Sequence, residues 1–226
     1  LELAKAYLTD GWTVYGCCRN PDNAQQLQDV VAGTSGTLKL LKMDVTDYAQ
    51  IDAAVTTMDD DAVDLLINNA GTADGYGSGA YENVDDPDPM NYNYELWMEV
   101  LQVNLLAPTR VTGAFADKLA KAEQPFVVMM SSTLASVSET WSAGRYAYRS
   151  SKAGLNVVMR SMGAWLEKRH IAIVSISPGW TKTDMGGPNA QNEPSESAEG
   201  VKRVIASLEF ENTGSFYNFD GKQMSW

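Results

Sequence analysis

Short apolar runs alternate with amphipathic stretches along most of the chain. Runs rich in Val, Ile, Leu and Met over 37–43, 62–67, 125–130 and 171–176 have the length of buried strands. Shorter runs at 12–17 and 215–219 read the same way. Between them, spacing of the apolar positions predicts helices over 1–9, 23–31, 46–58, 94–120 and 146–168, and one from Pro194 to about residue 208. Asp10-Gly11 closes the first helix, since glycine accepts the left-handed conformation that ends a helix. The rhythm fails over 72–93, which is rich in Gly, Asp, Tyr and Asn and carries Pro87 and Pro89; a long surface loop is predicted. Its acidic run Glu82-Asn83-Val84-Asp85-Asp86 reads as a solvated face, with a metal site the lesser alternative. A second loop covers 178–194. Strands and helices that alternate in this way predict a parallel sheet covered on both faces, one doubly wound α/β domain over 1–226 without repeats or linkers.

Composition narrows the function classes. The 226 residues are 44% apolar, enough for a sizeable core. The net charge of −12 argues against nucleic acid and against an anionic membrane surface as partners. No apolar run approaches the roughly 18 residues that cross a bilayer, and no signal-peptide pattern is visible. The two cysteines, Cys17 and Cys18, are neighbours, a poor basis for a disulfide or a metal site. A cytoplasmic, reducing location is the expectation.

Candidate chemistry sits at the ends of the predicted strands and at one helix start. Tyr148 and Lys152 are four apart, so they share a helix face. A cation about 4 Å from a phenol at an effective dielectric of ~20 is worth roughly 4 kcal/mol, enough to lower its pKa by up to about three units toward neutral pH. Such pairs are also common as plain surface neighbours. Ser131-Ser132 follows the apolar strand 125–130, and a hydroxyl there faces the crevice where ligands of open α/β sheets bind; a turn or cap serine is the alternative. Asn104 lies among apolar residues inside a helix, four before Pro108, which implies a buried amide near a kink. A core amide bonded to backbone is its alternative. Asn68-Asn69-Ala70-Gly71 ends a strand with small and amide residues that admit a flat ligand. Arg19 follows the strand 12–17 where a dinucleotide ribose would arrive, and a basic residue suits a 2′-phosphate; it also reads as a surface charge. Asp44 and Val45 could frame an adenine ring.

These pieces, in this order, resemble the short-chain dehydrogenase/reductase family, over essentially the whole chain. Its Asn-Asn-Ala-Gly motif is matched at 68–71, its catalytic asparagine at Asn104, its serine at Ser132 and its Tyr-x-x-x-Lys at Tyr148 and Lys152, with Tyr146 off register. Its Pro-Gly is matched at Pro178-Gly179, followed by Thr181 and Thr183. The stretch 178–188 and the ending, with Gly214-Ser215-Phe216, Asp220-Gly221-Lys222 and Trp226, look like the C-factor or sniffer-type carbonyl reductase branch. The resemblance implies a Rossmann-like fold and an oxidoreductase that interconverts carbonyl and alcohol with NADP(H) in preference to NAD(H). It implies that Tyr148 exchanges the proton, Ser132 orients and polarises the oxygen, Lys152 lowers the Tyr148 pKa and holds the nicotinamide ribose, and Asn104 anchors a water. The implied cofactor contacts are Arg19, Asp44, Val45, Asn69, Ala70, Gly71, Tyr148, Lys152, Pro178, Gly179, Thr181 and Thr183, with no metal. The implied partners are a small carbonyl or alcohol and further copies of the chain, a homodimer or homotetramer through helices 94–120 and 146–168.

One family feature has no counterpart. The first strand and the glycine-rich phosphate turn that precede the first helix of the family are absent from the 226 residues. In the usual strand order that strand is central, and each buried backbone group it leaves unpaired costs about 1–3 kcal/mol. Three explanations stay open: a preceding segment of about a dozen or more residues, a sheet re-paired through a partner chain, or a protein with impaired cofactor binding. The last motivates an alternative function, a non-catalytic signalling or binding protein on the same scaffold. His170, the lone histidine, reads as a helix-end residue. Trp141, Tyr146, Trp180 and Met185 are candidates for lining the substrate space or for packing.

Overall fold

The computed structural model describes residues 1–30, 33–73 and 88–226. Six strands form, β1 (Thr13–Cys18), β2 (Thr37–Lys42), β3 (Leu65–Asn68), β4 (Phe126–Met130), β5 (Ala172–Ser177) and β6 (Phe216–Asn218), and every pairing between them is parallel. The helices are α1 (Glu2–Thr9), α2 (Gln25–Asp29), α3 (Tyr48–Thr57), α4 (Tyr94–Leu101), α5 (Ala107–Leu119), α6 (Tyr146–Leu166) and α7 (Pro194–Ala206). Local chemistry sets several of the starts. The Asp47 carboxylate accepts from the Ala49 and Gln50 amides at the head of α3, and the Asn93 amide oxygen accepts from Leu96 N at the head of α4. Pro194 occupies the first turn of α7, where its missing N–H costs nothing. Gly11 takes φ +82 just after α1.

The sheet is divided. β1 and β2 pair with each other, and β3-β4-β5-β6 form a separate four-stranded sheet. The expected single sheet thus keeps its parallel, doubly wound pattern, but among the described residues no strand joins β1 to β3. Burial follows the division: β5 is buried throughout and β4 nearly so, whereas β3 is half-buried along its length. The two-stranded unit is tied to the rest beside β3, where the Tyr15 hydroxyl donates to the Asp60 carboxylate at 2.6 Å and Lys39 donates to the Tyr15 oxygen at 2.9 Å.

Alternation along the central strands sorts residues between two cores. Val127 and Met129 of β4 and Ile173 of β5 pack with Ile51 of α3, Phe115 of α5 and Leu155 and Met159 of α6. Val128, Met130, Val174 and Ile176 pack on the other face with Val201 and Val204 of α7 and Leu3 of α1.

Two predicted helices are altered. The 94–120 helix does not run through: residues 102–106 form a π turn between α4 and α5, directly before Pro108. The missing proline N–H and the bulk of its ring are accommodated by this widened turn. The 23–31 helix shrinks to a 3₁₀ turn at Pro21–Asn23 and the five residues of α2; it has no buried residue to pull it onto the sheet. The acidic run 82–86 and most of the predicted 72–93 loop lie outside the described residues.

Candidate active site

The candidate residues converge on the carboxyl edge of the sheet, as strand order requires of an open α/β fold. Arg19 follows β1, Asp44 and Val45 follow β2, Asn69, Ala70 and Gly71 follow β3, Ser132 follows β4, and Pro178, Gly179, Thr181 and Thr183 follow β5. Tyr148 and Lys152 enter on the first two turns of α6. That helix begins after Gly144 and Arg145, both in the left-handed region at φ +85 and +54. For Arg145 this conformation costs about 1–2 kcal/mol, strain of the kind concentrated near functional sites.

Lys152 is the most constrained of these side chains. It is 5% exposed, and its ammonium donates to the Met130 carbonyl at 2.8 Å. Burial pulls its pKa down from 10.5 to about 8. An ammonium has three N–H donors, and this is its only hydrogen bond among the described residues, so two donors remain for a ligand. Its nitrogen stands 5.9 Å from the centre of the Tyr148 ring. Gly71 lies alongside: a Cβ there would come 3.6 Å from Lys152 Nζ and 3.4 Å from Asn104 Oδ1. The missing side chain leaves room beside the ammonium, as a nicotinamide cofactor held by Lys152 would require.

Asn104 is fully buried in the π turn. Its Oδ1 accepts from Thr72 N at 2.8 Å, and its Nδ2 donates to the Thr72 carbonyl at 2.8 Å and to Ser151 Oγ at 3.0 Å. The core-amide alternative therefore describes its side chain, and both amide donors are committed. The bonds to Thr72 hold the segment after β3 against the π turn, and the bond to Ser151 ties that turn to α6.

The two adjacent serines separate cleanly. Ser131 is buried and donates to Asn156 Oδ1 at 2.8 Å, while half-buried Ser132 accepts from Leu134 N at 3.1 Å and caps a 3₁₀ turn. Ser132 is thus a cap serine with its side chain at the crevice mouth, and the two readings of it are compatible. Asn156 was not legible as part of the site, although its place four residues after Lys152 puts both on one face of α6.

The remaining candidates are more local. Asp44 accepts from the Thr46 hydroxyl and amide, which together with nearby Arg19 hold its carboxyl below its usual range. Val45 packs against the core. Gly179 takes φ +73, and a Cβ there would meet Asn192 Nδ2 at 2.5 Å and the Phe219 ring at 2.7 Å, so only glycine fits. The Pro178 carbonyl accepts from Ser197 Oγ at 2.7 Å and Thr181 Oγ1 at 3.1 Å, and Thr183 Oγ1 accepts from Gly186 N. Of the four substrate-lining candidates, Tyr146 instead packs between Tyr92 and Trp97, its ring stacked 6.3 Å from Trp97. Trp141 is exposed, and Trp180 donates to the Gly186 carbonyl within its own loop.

The short chain dehydrogenase family model matches residues 1–194. The chain belongs to this family. C-signal of Myxococcus xanthus is 37% identical to this short-chain dehydrogenase over 164 residues, 73% of the chain and 93% of the relative. Among solved structures, carbonyl reductase Sniffer of D. melanogaster superposes with a TM-score of 0.87 at 28% identity, covering 100% of this chain and 94% of its own. An NADPH-bound carbonyl reductase from chicken fatty liver does so at 0.85 and 30% identity, covering 98% and 92%. The short-chain dehydrogenase is therefore of the C-factor and sniffer-like type. Among its described residues no helix is long and apolar enough to cross a membrane, and no group of three or more His, Cys, Asp or Glu could hold a metal ion.

Proposed function

We propose that this short-chain dehydrogenase interconverts a carbonyl and an alcohol with NADP(H), with Tyr148 as the acid/base residue. As a member of its family it is an oxidoreductase of alcohol and carbonyl groups that uses a nicotinamide cofactor. The observation that carries the finer reading is the buried Lys152, with a single hydrogen bond, two open donors and a place one helical turn from Tyr148.

In this reading Lys152 and the 69–71 segment hold the nicotinamide end, with 178–183 closing over it, and Arg19 and the 44–45 turn meet the adenosine end. The cofactor, when bound, supplies the hydride. The Tyr148 hydroxyl gives its proton to the substrate oxygen in reduction and takes it back in oxidation. Positive charge at Lys152 stabilises the phenolate left on Tyr148, which lowers the cost of that transfer near neutral pH. Ser132 Oγ–H donates to the same oxygen, fixing its position and favouring the charge that develops there. Asn104 keeps Thr72 and Ser151 in place, so the wall beside Lys152 stays open. A water linking Lys152 to solvent would use the second lone pair of Asn104 Oδ1.

NADP(H) over NAD(H) rests on Arg19 at the end of β1, and the NADPH and NADP named for similar structures support it. The exposed Met98 of α4, Val157 and Trp165 of α6, and Leu106 between α4 and α5, support self-association through these helices. A cytoplasmic location fits the acidic charge and the free cysteines. The test is NADPH oxidation against a panel of aldehydes and ketones. The wild type turns over, and Tyr148→Phe loses at least a hundredfold in kcat while still quenching NADPH fluorescence on binding. Full activity of Tyr148→Phe sinks the assignment. A second reading, a signalling or binding protein on this scaffold, is favoured by the 37% identity to C-signal; it predicts neither NADPH binding nor turnover.

A further inference from the structure

Two polar fastenings hold α6 to the end of β4. Lys152 Nζ donates to the Met130 carbonyl at 2.8 Å, and one turn further along α6 Asn156 Oδ1 accepts from Ser131 Oγ at 2.8 Å. They engage consecutive residues of the strand end, immediately before Ser132. Ser131 is fixed from the other side as well, since its amide donates to the Ile176 carbonyl of β5 at 2.8 Å.

Asn156 is a costly choice for its place. It is 3% exposed, yet its Nδ2 has no hydrogen-bond partner among the described residues. A leucine would pack there without an orphan donor, and buried polar groups left unsatisfied in a folded protein call for a reason. What the amide supplies and leucine cannot is the acceptor for Ser131. We propose that Asn156 is a positioning residue for the reaction: through Ser131 it sets where Ser132 stands relative to Tyr148 and Lys152. This rests on the acid/base reading above.

Core packing of Leu155 and Met159 and the Asn104–Ser151 bond place α6 on the sheet, but only Lys152 and Asn156 tie it through polar bonds to the residues just before Ser132. The two ties lie about 6 Å apart along the helix, the spacing of residues four apart, and so set its register against that strand end. Tyr148, one turn before Lys152, then has a fixed reach to an oxygen held by Ser132. Displacements near 1 Å at such a site cost about a hundredfold in rate.

The test uses the full chain with NADPH and benzaldehyde or phenanthrenequinone as the carbonyl probe. Asn156→Leu and Ser131→Ala are each expected to lower kcat tenfold or more, with KM for NADPH within twofold of wild type. The double variant is expected to lose no more than the worse single variant, because both break one bond. Val204→Ala, in α7 on the opposite face of the sheet, controls for general destabilisation and is expected to keep its kcat at a comparable drop in Tm. The proposal is overturned by near wild-type kcat in Asn156→Leu, by losses that add in the double variant, or by an equal loss in Val204→Ala. Tyr148→Phe run alongside separates the two levels. If it is inactive while Asn156→Leu is normal, only the positioning role falls; if it is active, the acid/base reading falls and the role falls with it.

Discussion

Replacing Lys152 by methionine should make this protein more stable at neutral pH while destroying its activity. The side chain is buried, and its pKa falls from 10.5 to about 8. At pH 7 both folded and unfolded chains carry the charge, so the folded state bears the whole cost of burying it. At about 1.4 kcal/mol per pH unit, that gap corresponds to about 3 kcal/mol. Methionine is of similar length, carries no charge and fits irregular space. Against the gain stands the Met130 carbonyl, which loses its donor at 2.8 Å for a cost of about 1 kcal/mol. The net expectation is a gain of about 2 kcal/mol at pH 7, or about 4–8 °C in Tm for a chain of this size. The sign of the pH dependence follows from the same values. Between pH 8 and 10.5 the unfolded chain holds a proton on Lys152 that the folded chain has released, so wild-type stability rises with pH across that window. The variant lacks this rise, and its advantage vanishes above pH 10.5. The Cys17 thiol, pushed up to about 11 by desolvation of its sulfur and by Cys18, acts in the opposite direction over part of the window. It cancels when wild type and variant are compared. Urea denaturation at several values between pH 7 and 10.5 measures the difference. A variant less stable than wild type at pH 7, or one with an unchanged pH slope, would refute the reasoning.

Other substitutions probe the rest of the site. Gly179→Ala forces a side chain into the left-handed region and against Phe219; a loss of about 2 kcal/mol or more is expected, read as a fall in Tm by calorimetry. Gly71→Ala meets only ordinary contacts in the fold, so Tm should hold within a few degrees while NADPH affinity, measured by fluorescence titration, drops about tenfold or more as the methyl fills the space beside Lys152. Arg19→Ala should weaken NADPH about tenfold and leave NADH nearly unchanged, an effect that shrinks at high salt; equal losses for both cofactors would remove Arg19 from the 2′-phosphate site.

The sequence carried the α/β alternation because the central strands β4 and β5 are largely apolar runs and the longer helices have an apolar stripe. It also singled out Asn104, Ser132, Tyr148 and Lys152 as candidates, since ordered spacing makes a specific signal out of individually weak residues. Other features were hidden for physical reasons. A proline inside a helical pattern does not say that the preceding turn will widen to a π turn, as it does between α4 and α5. The packing of Tyr146 depends on Tyr92 and Trp97, about fifty residues away in the chain. The Ser131–Asn156 bond escaped notice because serine and asparagine look like ordinary polar fillers until a strand end and a helix face are brought together.

The alternation in β4 has a consequence for how this enzyme could change. Odd-numbered residues, Val127 and Met129, serve the core under α6, even-numbered ones serve the core under α7, and Ser131 continues the odd series to reach Asn156. The strand therefore acts as a reading frame for chemistry as well as for packing. A single-residue insertion or deletion upstream in β4 would move one serine into the other's place and put Met130 or Thr133 in the place left, at the moment it exchanged the two cores. On the role proposed for Asn156, a change of phase in this strand would disturb the site together with the packing on both faces.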